Sequence, residues 1–328
     1  ANLQQAKHNF IKVHKRLVDG INEIDNGEYD LILIDCPPNF NIVTKNAIVA
    51  SDHILIPAKP DYLSTLGIDY LKMSLDRLVK EYNEYCEIEE EDDEVDKINP
   101  EITGVVFTMV QIRNGQPISA LRPYINQTKK LGIPVFTDRS SYENHPLGRT
   151  EWIKVYAEMV DKRDEAKAFF DEQAKVILDL KDFKNTEKTV AFFYISSDGS
   201  VVVRKPTDYV PKMIEIAGGR YVPTQVDSEE ETKRSSVPMT MEEFYTQAID
   251  ADYLVYNGTI DDPINSVDEL LQKSELFADF KAVKEGNVWC AGKYLYQATD
   301  IVGNMITDLH LMLTGGDESQ MTFMTKID

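Results

Sequence analysis

The chain has 328 residues, 42% of them hydrophobic, which suits about two domains with cores of their own. Its formal net charge of −21 repels phosphate backbones and anionic lipid surfaces, which argues against nucleic acid or a membrane surface as a direct partner. There is no run of about 18 apolar residues, so no membrane span is expected. Cys36, Cys86 and Cys290 lie far apart, without zinc-site or disulfide-framework spacing, and read as free thiols.

Residues 1–12 lack the charged-then-apolar pattern of a signal peptide and read as an amphipathic helix already under way. Over 3–25, Phe10, Ile11, Val13, Leu17, Ile21 and Ile24 recur at near-helical spacing, and Asn26-Gly27 ends the helix. Residues 30–35, DLILID, form a short apolar run closed by Pro37-Pro38, the pattern of a strand buried on both faces. A helix is expected at 41–50, a second buried strand at 53–57 and a long helix at 64–84. Residues 87–96 carry eight acidic side chains in ten and read as a solvated loop or helix end. A strand at 102–110, a helix at 117–130 and a strand at 133–136 complete a strand–helix alternation that argues a parallel sheet.

From Gly148 the character changes. Residues 148–184 read as helix with a break near 162. Strands follow at 189–195 and 200–204, then a helix at 207–217 stopped by Gly218-Gly219. Residues 225–238 read as a surface loop. Further elements are a helix at 241–249, a strand at 253–256, a helix at 267–272, a strand at 287–290 and a closing helix at 296–314.

The string Asp35-Cys36-Pro37-Pro38, followed by Thr44, Asn46, Ala47, Pro57 and Gly67, resembles the central part of ParA/MinD-type partition ATPases, and the likeness runs over about 1–136. The resemblance assigns Asp35 to a magnesium–nucleotide site. The sequence holds no Gly-x-x-x-x-Gly-Lys-Ser/Thr, the loop that wraps N–H groups around phosphates. Asp35 therefore reads as the vestige of that site, a strand-end carboxylate, and ATP hydrolysis is not expected.

Residues 139–315 resemble the hinge helix and C-terminal lobe of ABC-transporter solute-binding proteins for iron–siderophore, haem or cobalamin uptake. The likeness rests on residues 140–154 (SSYENHPLGRTEWIK), 214–219 (IEIAGG), 239–244 (MTMEEF) and 280–288 (FKAVKEGNV). It implies a stiff helix joining two α/β lobes, a ligand held between them and an ABC permease as partner. A cleft for an anionic chelate needs cations and aromatic rings at strand ends. Tyr194, Ser196, Arg204, Lys205, Asn257, Trp289, Tyr294 and Tyr296 are the candidates, with Arg204 foremost because paired cations there are costly without an anion. By motif position Glu242, with Glu243 beside it, is the docking carboxylate, while Thr240 and Glu243 have capping-box spacing. His145 has no partner at metal-ligand spacing and reads as structural.

The expectation is an α/β protein of two parallel-sheet lobes, a P-loop-NTPase-like half and a solute-binding C-lobe, joined by a long hinge helix. The expected divisions are 1–138, a hinge region at 139–186 and a lobe at 187–328, a chimera-like join. The function expected is a binding module for a metal chelate with no resident cofactor or metal. The alternatives are a partition-ATPase remnant or an inactive scaffold. The first half implies a cytoplasmic setting, the second an extracytoplasmic one.

Overall fold

The computed structural model describes residues 9–25, 27–87, 96–113, 115–226 and 235–328. It divides into two compact units, Ala1–Arg139 and Ser140–Asp328. The acidic run expected to be a solvated loop lies mostly outside the described residues.

The first unit contains α1 (Arg16–Ile24), α2 (Ile42–Val49), β1 (His53–Ala58), α3 (Tyr62–Cys86), β2 (Glu101–Phe107), a hairpin of β3 (Ile112–Arg113) and β4 (Gln116–Pro117), α4 (Arg122–Lys130) and β5 (Val135–Thr137). Its main sheet has the order β1-β2-β5, all parallel. Asp61 starts α3 by accepting from the Ser64 N–H, which satisfies one of the orphan donors of a helix start. Ile68, Leu75, Leu78 and Tyr82 then bury one helical stripe. Gly104 suits the close approach of β2 to the start of β5, where a Cβ would sit 3.1 Å from the Pro134 carbonyl oxygen.

One expected strand is absent. Residues 30–35 form no strand in the described structure, and Leu31, Ile32 and Leu33 are 46%, 42% and 82% exposed. A strand buried on both faces needs neighbours for its N–H and C=O groups. Among the described residues β1 pairs with β2 alone, and no strand flanks the run. Asp35 therefore stands exposed and does not end a sheet strand.

The second unit begins with α5 (Pro146–Met159) and α6 (Arg163–Asp179), separated at the expected place, where Asp161 takes a left-handed φ of 55°. There follow β6 (Thr189–Ile195), β7 (Val201–Arg204), α7 (Tyr209–Ile216), β8 (Arg220–Val222), β9 (Ser236–Met239), α8 (Met241–Ala248), β10 (Tyr253–Asn257), α9 (Val267–Lys273), α10 (Lys281–Lys284), β11 (Val288–Ala291), α11 (Val302–Thr314) and β12 (Met324–Lys326). The sheet runs β12-β11-β10-β6-β7-β9, with β8 also on β6. β6, β8, β10 and β11 are mutually parallel; β7, β9 and β12 are antiparallel additions. The expected loop at 225–238 is corrected at its end, where β9 forms on the edge of β7. The closing helix starts six residues later than expected, since 292–301 is a string of turns.

Strand alternation gives this sheet two cores. Val190 and Phe192 face one side, with α7 and α11; Ala191 and Phe193 face the other, with Phe244, Phe277 and Phe280. α6 locks onto α11 at Gly303, whose N–H donates to Gln173 Oε1 at 2.9 Å, and a Cβ at Gly303 would meet that same oxygen at 2.6 Å. Asp308 of α11 is fully buried and accepts from the N–H groups of Thr322, Phe323 and Met324 at 3.0, 2.6 and 3.0 Å. That clamp holds β12 on β11.

Asp308→Ala leaves three N–H groups without their acceptor, those of Phe323 and Met324 buried. It is expected to lower the unfolding free energy of the second unit by about 3 kcal/mol in denaturant titration, with amide exchange of 322–324 accelerated first. His145 supplies a second test. Its Nδ1 accepts from Leu147 N–H at 3.2 Å to cap α5, and burial, aided by Lys212, lowers its pKa from the ordinary histidine value. The neutral ring contributes stability above that ordinary value of about 6.5, and the contribution is lost as pH falls through the lower folded value. Melting temperature should therefore drop more between about pH 8 and 5 in the wild type than in His145→Asn, which caps without titrating.

Candidate functional site

The parallel strands of the second unit bring their C-terminal ends to one edge of the sheet, where ligands of open α/β sheets bind. β10 ends at Asn257 and β11 at Ala291, and the turns at 292–301 follow β11. Asn257 is buried and donates through Nδ2 to the Tyr296 hydroxyl at 2.8 Å. Tyr296 in turn lies against Arg204, whose Cζ is 4.8 Å from its ring centroid. Three residues singled out from the sequence thus meet: Arg204, Asn257 and Tyr296.

Arg204 is the last residue of β7 and only 9% exposed. Its backbone exchanges two bonds with the Tyr221 hydroxyl, N–H donating at 2.9 Å and C=O accepting at 2.8 Å. Its Nη1 donates to Ser235 Oγ at 3.0 Å, and its Nε lies 3.1 Å from Asp208 Oδ1, out of line for a hydrogen bond. Asp208 also caps α7 through the Val210 N–H. Burial pushes the Asp208 carboxyl up from its ordinary value, opposed by Arg204 and by that N–H. Burial likewise pushes the Tyr296 and Tyr221 phenols well above the usual tyrosine range, so both are neutral hydrogen-bonding groups.

Three members of the cluster were not among the candidates read from the sequence. Asp208 and Tyr209 open α7, where an acid reads simply as a cap and an aromatic as core. Arg149 comes from α5 and stacks its Cζ 3.9 Å over the Tyr209 ring. The helix is tied to the turns carrying Tyr296 by Thr150 Oγ1, which donates to the Thr299 carbonyl at 3.0 Å. The only sequence signal for Arg149 was its place within the quoted 140–154 motif.

The other candidates lie elsewhere. Trp289 is 4% exposed within the core on the α7 and α11 side, its Nε1 without a hydrogen-bond partner. Tyr194 packs against the opposite core. Ser196 is absorbed in the turn between β6 and β7, bonded to Asp198 and to the Ser200 carbonyl. Lys205 follows Arg204, and its backbone N–H donates to the Ser235 carbonyl at 2.9 Å. Tyr294 is 67% exposed, beside Tyr296 on the same turns. Glu243 completes a capping box with Thr240, its Oε2 accepting from the Thr240 N–H at 2.7 Å, and these bonds hold its carboxyl below the usual range. Glu242 is exposed on the first turn of α8. No group of three or more His, Cys, Asp or Glu is arranged to hold a metal ion, and no helix is long and apolar enough to cross a membrane, among the described residues.

Comparison with known proteins gives two matches along the chain. A family model described as an AAA domain matches residues 1–88, and one described as a periplasmic binding protein matches residues 119–295. An uncharacterized lipoprotein of Methanocaldococcus jannaschii is 28% identical over 194 residues, covering 57% of this chain and 44% of that protein. The chromosome partitioning protein ParA of Myxococcus xanthus is 41% identical over 117 residues, covering 34% of this chain and 35% of that protein. The chain therefore spans less than half the length of either relative. A periplasmic solute binding protein from Veillonella parvula has a similar structure, with a TM-score of 0.47 and 19% identity, covering 64% of this chain and 58% of that one. With more than half of its residues matched, the chain belongs to the periplasmic binding protein family, and it carries a ParA-like stretch ahead of the matched region.

Proposed function

We propose that the second unit is the ligand-binding part of an ABC-transporter substrate-binding protein, acting outside the cytoplasm on a metal chelate of the siderophore, haem or cobalamin class. The observation that carries this reading is the Arg204–Tyr296–Asn257 cluster at the strand-end edge of the sheet, in a chain of this family. Such a ligand presents flat faces and peripheral oxygens. Aromatic rings pack on the first, and guanidinium and amide donors meet the second. Arg204 serves chiefly to fix Tyr296 and Asp208 in place, since its own guanidinium is nearly closed to solvent. Tyr294 and Tyr296 are the rings that face a ligand. Proteins with haem and vitamin B12 in their names are among the structures similar to this one.

A thermal-melt series against ferric hydroxamate, ferric catecholate, haem and cobalamin tests the reading. A ligand present at about a hundred times its Kd stabilises the folded state by about 2.7 kcal/mol. One chelate is expected to raise the melting temperature, and Tyr294→Ala, which removes an exposed ring without opening the core, should weaken its binding about tenfold. Equal melting in all four ligands would count against the proposal.

Docking on the permease falls to Glu242 in this reading, because Glu243 is engaged in its cap. Glu242→Gln is expected to leave the melting temperature and ligand affinity unchanged while reducing ligand-stimulated ATPase activity of a reconstituted permease. Glu243→Gln should lower the melting temperature. A Glu242→Gln protein that stimulates the permease as the wild type does would remove this residue from the interface.

A further inference from the structure

We infer that His145 is a proton-sensitive latch on the ligand edge: its neutral ring fixes the first turn of α5 and, through that turn, the stretch that carries Tyr296, and protonation releases both. The inference rests on the binding-module reading and adds to it a control of the same site by pH.

The latch is built from consecutive residues. His145 stands at the N-cap of α5, and its Nδ1 accepts from the Leu147 N–H at 3.2 Å. Pro146 has no N–H to offer, and the Arg149 N–H is met by the His145 carbonyl at 3.4 Å. The ring therefore holds one of the few donors that this helix start leaves open. The next two residues reach out of the helix. Thr150 is buried, and its Oγ1 donates to the Thr299 carbonyl at 3.0 Å, closer than the Pro146 carbonyl at 3.4 Å. Arg149 lays its Cζ 3.9 Å over the Tyr209 ring, which Arg204 faces at 5.8 Å. Thr299 shares the turns at 292–301 with Tyr296, and Arg204 lies against the Tyr296 ring. The start of α5 thus reaches the Tyr296 region by two routes, a hydrogen bond and a stack.

Protonation opposes this arrangement in three ways. An imidazolium has hydrogens on both nitrogens, so Nδ1 becomes a donor facing the Leu147 donor. A cation at a helix N-terminus opposes the macrodipole. Burial, with the like charge of Lys212 on α7 adding, holds the ring's pKa below the ordinary histidine value. Glu143 and Arg149, the charged neighbours in the chain, are turned to other partners. Glu143 Oε1 accepts from Trp152 Nε1 at 3.3 Å, and Arg149 donates to the Glu143 and Ser141 carbonyls. The latch is closed above the ordinary value of about 6.5 and opens as pH falls through the lower folded value.

Amide exchange of the whole chain at about pH 7.5 and about pH 5, in the wild type and in His145→Asn, tests the coupling without any ligand. Asparagine caps a helix without titrating. Asp208, whose carboxyl burial pushes up, titrates in both proteins, so the difference between them isolates His145. At the lower pH, exchange over 147–150 and over 295–301 is expected to be about fivefold faster in the wild type, the factor for one lost cap. At the higher pH the two proteins should agree. Lys212→Gln removes the like charge and should raise the pH at which the acceleration sets in, a shift that lost packing alone would not give. Equal exchange over 295–301 in the two proteins at the lower pH would overturn the latch, as would acceleration confined to 147–150.

Titration with ferric hydroxamate, ferric catecholate, haem and cobalamin at both pH values reads the consequence. The affinity of whichever chelate binds should fall several-fold further on acidification in the wild type than in His145→Asn, and equal falls would overturn the control of binding. No binding by any of the four, with exchange over 295–301 still following His145, would sink the chelate reading and leave the latch standing.

Discussion

A buried guanidinium organises one end of the second unit. Taking Arg204 out of water costs several kcal/mol unless its donors and charge are met. Meeting them ties together β7, β8, α7 and the turns after β11, through Asp208, Tyr221, Ser235 and Tyr296. Asp208 does two things at once, because the carboxylate that faces Arg204 also caps α7. The turn from β7 into α7 is therefore set by electrostatics as much as by chain geometry. It places Tyr209 between Arg204 and Arg149. The arrangement of Arg149, Tyr209 and Tyr296 follows from that pairing.

Two apolar runs show what local pattern can and cannot decide. Residues 189–195 and residues 30–35 are both short, apolar and bounded by polar or proline-rich stretches. The first became β6 and pairs with β7, β8 and β10; the second forms no strand and leaves Leu31, Ile32 and Leu33 exposed. The side chains encode a readiness to be buried, but the neighbours that would bury them lie elsewhere in the chain. Edge strands were invisible for a related reason. β12 has three residues and no alternation of its own, and it is fixed by a carboxylate on α11.

The site was half legible on the same terms. Asn257 and Tyr296 were accessible to a rule about strand ends, because they close or follow the parallel strands β10 and β11; Arg204 ends β7, which runs antiparallel to β6, and reaches Tyr296 through its long side chain. Trp289 met the same rule and went into a core, since the alternation of β11 turns it inward with Ala291, while Tyr194 is half-buried against the opposite core. Arg149 could not be placed, because a helical arginine reveals nothing about which ring it will cover. The match to the family model crosses the boundary between compact units in the same way. It begins at residue 119, yet α4 and β5 precede the boundary at Arg139, and β5 pairs with β2 of the first unit. Helix, glycine stop and short parallel strand form a local pattern that similarity detects; the sheet such a strand joins is a matter of pairing.

Other ion pairs in the second unit show what a purely structural solution looks like. Lys281 meets Asp252 at 2.7 Å and Lys273 meets Asp261 at 2.6 Å, each one cation to one anion, and each carboxylate is tied further, by the Thr189 N–H or by the Tyr256 hydroxyl. These pairs close on themselves and leave nothing for a ligand. The group around Tyr209 is solved differently: Arg204 faces Asp208 at 3.1 Å, while Arg149 is met by the main-chain carbonyls of Glu143 and Ser141 and by the nearby charges of Asp208 and Glu143. A guanidinium has five donors in a fixed fork, so it can be satisfied by carbonyls and a shared ring where a lysine needs a carboxylate of its own.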